Sequence, residues 1–139
     1  MGLDNFFQNS KNEPVNYTGE PLTAFVCASM GMPEQGAWRG KYYFPIIQAM
    51  LGLELENPRD YEDLWLFNEH TANEIKEAYL KFASYDLKDH NVWSALMTTA
   101  SKYDFYGYVS EYTVEEIEEI VKYFKFYSQV EDVKLVAWY

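Results

Sequence analysis

The chain has 139 residues, 48% of them apolar, which suits one domain with a substantial core. Eleven basic against 22 acidic side chains leave a net charge of −11, which argues against a binder of DNA or RNA backbone, because that needs a basic face. One cysteine excludes an internal disulfide framework and a cysteine-rich zinc module, and no run approaches the roughly 18 apolar residues of a membrane-spanning helix.

The first eleven residues carry neither a basic stretch followed by an apolar run nor a hydroxyl residue at position 6, where Phe6 stands. A secretory signal and a myristoylation signal are therefore not expected. Asn16-Tyr17-Thr18 matches a glycosylation sequon, which carries no weight without a signal peptide. The expected location is the cytosol.

Residues Ser10 to Glu20 are polar and contain Pro14 and Gly19, a loop pattern. Leu22 to Ala28 is a short apolar run of strand length, and Met30 to Gly36, with Gly31, Pro33 and Gly36, reads as a loop. Tyr43, Ile46, Ile47, Met50 and Leu51 then fall on one helical stripe. Pro45 lies within it, and proline is tolerated in the first turn of a helix, so the start is expected between Lys41 and Pro45, with Gly52 closing the end.

Glu54 to Phe67 reads either as a loop or as a loop holding a short helix around Tyr61 to Leu66. Thr71-Ala72-Asn73-Glu74 is a capping box, in which the threonine hydroxyl and the glutamate carboxylate each take one free amide. Ile75, Ala78, Tyr79 and Phe82 continue it as a helix, and Val92, Trp93, Leu96, Met97 and Ala100 mark another from Asn91. Tyr103 to Tyr112 reads as a turn region around Gly107 that adds a strand in one reading. Thr113-Val114-Glu115-Glu116 is a second capping box, followed by Ile117, Ile120, Val121 and Phe124, and Val133 to Trp138 reads as a strand. The helices after Thr71 and Thr113 match at a spacing of 42, including Phe82/Phe124 and Tyr85/Tyr127. Duplication and the convergence of two capped amphipathic helices both account for this. The sum is a single α+β domain, residues 1–139, of about four helices on a small sheet formed by the Leu22 and C-terminal strands.

Three constellations bear on chemistry. Cys27, Trp38, Arg39, Gly40 and Lys41 lie where a strand and loop lead into a helix start. Free N–H groups there, with two cations, suit a phosphate or carboxylate. The glycine spacing is not that of a P-loop or a dinucleotide fingerprint. Equally, these residues fit a plain connection, with Cys27 an inert thiol. The second constellation is the acid-rich stretch from Glu54 to Glu74, with Glu54, Glu56, Asp60, Glu62 and Asp63 against the single base Arg59. It fits either a solubilising surface or one that meets a partner's basic groove. The third is aromatic: 13 Tyr, 9 Phe and 4 Trp, with Tyr103, Phe105, Tyr106, Tyr108 and Tyr112 crowded together. Tyrosine brings rigid area and a hydroxyl to an interface, so Tyr106 and Tyr108 are candidates for a partner surface; core packing under a loop is the other reading. His70 and His90 sit in no metal-ligand spacing, so no metal and no cofactor are expected, and no catalytic residue stands out.

The opening Met1-Gly2-Leu3-Asp4-Asn5, then Cys27, the glycine-containing loop, Trp38-Arg39-Gly40-Lys41 and the apolar C-terminal segment with Trp138 resemble, in that order, a group of small bacteriophage and bacterial proteins with no assigned activity. The resemblance implies a phage-type accessory protein. The sequence therefore points first to a protein that binds another protein, host or phage, through an acidic, tyrosine-rich surface. A small-molecule or enzymatic site for an anionic ligand at 27–43 is the alternative, and a structural homo-oligomer a third.

Overall fold

A computed structural model describes residues 4–23, 36–53 and 64–138, with the side chains at 4, 39–42 and 138 outside that description. Three strands, β1 (Asp4–Gln8), β2 (Ala37–Arg39) and β3 (Lys134–Trp138), make an antiparallel sheet in the order β2-β1-β3. Among the described residues four helices, α1 (Gly40–Leu51), α2 (Ala72–Ala83), α3 (His90–Ser101) and α4 (Val114–Ser128), join it in an α+β fold, with short 3-10 turns at Trp65–Phe67 and Val109–Glu111.

The sheet differs from the expected one. Its middle strand is the N-terminal segment, not the Leu22 run. Leu22 and Thr23 lie in no strand, and the rest of that run is outside the described residues. Nor does the Tyr106 region add a strand; it holds a bend and a 3-10 turn. Asn5 pairs with Trp38 on one side and Ala137 on the other, and Phe7 with Leu135. Strand alternation then puts Asn5 and Phe7 on one face of β1, and both are fully buried. Helix α4 packs on that face through Tyr123, Phe124 and Tyr127, each with its ring centroid within 6 Å of Phe7.

Helix α1 begins at Gly40, directly from β2, so Pro45 is its sixth residue rather than part of the first turn. The proline removes the bond its N–H would give to the carbonyl of residue 41. Every residue from Tyr43 to Leu51 is buried, so the expected stripe is a helix covered on all sides, lying against α2 and α3. Gly52 ends it with φ +66°, as its position predicts. The carbonyls left open at that end accept from side chains: Lys81 Nζ gives to Leu51, the Tyr85 hydroxyl to Met50 at 2.8 Å, and the Tyr103 hydroxyl to Leu53. Burial pushes the Tyr85 phenol above its ordinary value.

Helices α2 and α4, the two that match at a spacing of 42, pack against each other, and the equivalent rings of Phe82 and Phe124 meet edge to face at 4.9 Å. Thr71 caps α2 with the complete box. At α4 only the threonine half caps backbone; Glu116 Oε1 accepts from the Thr113 hydroxyl at 3.1 Å and its Oε2 from the Tyr43 hydroxyl at 2.6 Å. Glu119 of α4 is 7% exposed and accepts from the amide and hydroxyl of Thr23.

Candidate functional site

The aromatic segment after α3 divides into two populations. Tyr103 and Tyr112 are buried, and Phe105 stacks on Phe44 with centroids 5.8 Å apart, while Tyr112 stacks on Tyr43 at 5.5 Å. These rings pin the loop to α1. Tyr106 is 48% exposed, and its ring lies 6.0 Å from that of Tyr108 at a 26° tilt. Sequence composition left this segment open between core and surface, and the chain uses it for both.

Asp104 holds the loop in shape. Its Oδ1 accepts from the amides of Tyr106 at 3.3 Å and Tyr108 at 2.9 Å, and its Oδ2 from the amide of Val109 at 3.1 Å. One carboxylate thus satisfies three amides that the bend would leave unpaired. Gly107, with φ +75° and open space around it, supplies the left-handed residue the bend needs.

Between this loop and α3 runs a groove of about 420 Å³. Trp93, Met97, Thr98 and Ser101 line it from the helix, Asp104 and Tyr112 from the loop. Trp93 and Met97 belong to the helical pattern from Asn91; both are half-buried, with Leu96 and Ala100 taking the buried positions. Among the described residues lining the groove, Asp104 alone carries a formal charge.

Of the expected anion site, Trp38 is 1% exposed, its ring centroid 5.6 Å from those of both Phe7 and Tyr123, so it belongs to the core. Arg39 is the last residue of β2, Gly40 the first of α1, and Lys41 follows. Cys27 lies outside the described residues, as do Glu54, Glu56, Asp60, Glu62 and Asp63.

A polar joint escaped the sequence reading. His70 is 5% exposed and stacked on Trp65, with centroids 3.8 Å apart and 9° between planes. Its Nδ1 meets Glu74 Oε2 at 2.9 Å, its Nε2 meets the Trp65 carbonyl, and its backbone bridges to Leu135 of β3. The hydrogen bond from His70 holds the Glu74 carboxyl below its ordinary value, against a smaller opposing push from burial. The i, i+4 spacing of His70 and Glu74 was the available signal. Both ring nitrogens are engaged, and the joint ties α2, β3 and the 3-10 turn together. Among the described residues no three His, Cys, Asp or Glu side chains form a metal-binding group, and no helix is long and apolar enough to cross a membrane.

Comparison of the chain with family models, with curated proteins and with solved structures finds no match in any of the three.

Proposed function

We propose that this protein works by binding another protein, through the face made by Tyr106, Tyr108 and the groove beside them. The observation that carries the reading is the half-exposed Tyr106 ring on a loop whose backbone is held by Asp104 and whose flanking rings are anchored in the core. A ring presented on a fixed loop loses little freedom on binding, and tyrosine buries a large area there with a hydroxyl to spare. The acidic excess adds attraction toward a basic partner surface. With this reading go a cytosolic location and a partner encoded by host or phage, both taken from the sequence.

The test is site-specific crosslinking. p-Benzoylphenylalanine placed at position 106 is expected to capture one dominant protein in cells. The same group at Leu80, which is 67% exposed on α2, serves as the control for exposure alone. An identical capture pattern at both positions, or none at 106, contradicts the reading.

A further inference from the structure

We infer that the groove between α3 and the 104–112 loop receives an arginine side chain of the partner. The inference deepens the function proposed above and rests on it. The Thr98 hydroxyl donates to the Ser94 carbonyl at 2.8 Å and the Ser101 hydroxyl to the Met97 carbonyl at 2.9 Å. Each spends its one proton on the helix backbone, so what remains toward a ligand is lone pairs. Asp104 adds the wall's one formal charge, which is negative. Trp93 and Tyr112 add aromatic surface, and Met97 a polarisable sulfur.

This lining calls for a flat cation rich in donors. A guanidinium stacks on an indole while its in-plane N–H groups reach hydroxyl and carboxylate oxygens, and its apolar stem lies along Met97. An ammonium lacks the plane. Ser110 also lines the groove and brings a hydroxyl that can donate, but a carboxylate or phosphate would still face Asp104, the wall's one formal charge, and the lone pairs of Thr98 and Ser101. The net charge of −11 favours the same sign of ligand at longer range. The stacked Tyr106 and Tyr108 stand on the loop that forms the groove's wall, where they would cover backbone flanking the bound arginine.

Acetyl-arginine methylamide is the probe, titrated into the whole chain and followed by amide and indole NMR. Its neutral isostere, acetyl-citrulline methylamide, is the control. The expected result is saturable shifts confined to α3, the Trp93 indole and residues 104–112, at millimolar affinity. Citrulline should bind about fivefold more weakly, the loss of one exposed charge contact. Trp93→Leu and, separately, Thr98→Val should weaken the arginine probe while leaving the rest of the spectrum in place. Equal binding of citrulline, shifts spread over the whole acidic surface, or no shift at tens of millimolar overturns the inference. A partner captured at position 106 that binds Trp93→Leu as tightly as wild type also overturns it, yet leaves the proposed protein-binding function standing.

Discussion

The rings of Phe7 and Tyr127 lie face to face, with 3.7 Å between centroids and 3° between planes. This contact fastens the central strand to the last turn of α4, and the Tyr127 hydroxyl extends it by donating to the Val15 carbonyl at 2.7 Å. Gly36 closes the corner. Its φ is +61°, and a Cβ there would stand 2.1 Å from the Tyr127 oxygen and 2.6 Å from the Val15 carbonyl oxygen. In urea unfolding, Phe7→Ala should cost about 3–5 kcal/mol, the range for a buried phenylalanine. Gly36→Ala should cost more than about 1 kcal/mol from the backbone conformation alone. That cost should shrink in a Tyr127→Phe background, where the nearest clashing atom is gone. Equal costs in the two backgrounds would contradict the packing.

Thr71 and Thr113 start equivalent helices on different terms. Thr71→Ala removes a complete capping box and should cost about 1 kcal/mol, within the usual range of 0.5–2. Tyr43→Phe deprives Glu116 of its 2.6 Å donor and should also cost about 1 kcal/mol. It frees that carboxylate to turn back to the Thr113 amide, so hydrogen exchange at Thr113 should slow in the variant. Unchanged exchange there would show that Tyr43 is not what diverts Glu116.

The His70–Glu74 bond gives the fold an acid limb. Glu74 has its carboxyl below the ordinary 4.5, so its contribution is complete above that value and is lost as pH falls through the folded-state value. The side chain is 45% exposed, and solvent screening keeps the contribution below about 1 kcal/mol. Glu74→Gln should therefore lower stability slightly at neutral pH and flatten its decline as pH falls through and below 4.5. A variant with the wild-type slope would contradict the assignment.

Gln48 is fully buried in α1, and among the described residues neither atom of its amide has a hydrogen-bond partner. A buried polar group without a partner costs about 1–3 kcal/mol of desolvation. Gln48→Met, similar in shape and apolar, should raise the urea midpoint by an amount worth about 1 kcal/mol or more. A destabilised Gln48→Met would show that the amide is satisfied.

Much of the helical half of this fold was legible. The capping residues Thr71 and Thr113, the Gly52 stop and the 3.6-residue spacing mark α1, α2 and α4 because those signals are local. The sheet was not. Asp4–Gln8 is central only because residues 37–39 and 134–138 arrive on its two sides, and the five-residue stretch Asp-Asn-Phe-Phe-Gln shows no alternation of apolar and polar residues. Burial of Glu119 depends on Thr23, 96 positions away, and that of His70 on the 3-10 turn and β3. At the candidate site, composition singled out Tyr106 and Tyr108, while nothing in the helical pattern from Asn91 set Trp93 and Met97 apart, because helical periodicity cannot tell a buried stripe from its half-covered flank.

The most direct test of the account is the affinity of the partner captured at position 106, measured against wild type and against Tyr106→Ser/Tyr108→Ser of confirmed wild-type stability. Two aromatic anchors at an interface centre predict a loss of at least about tenfold. Unchanged affinity in the double variant would contradict the assignment of this face as the binding surface.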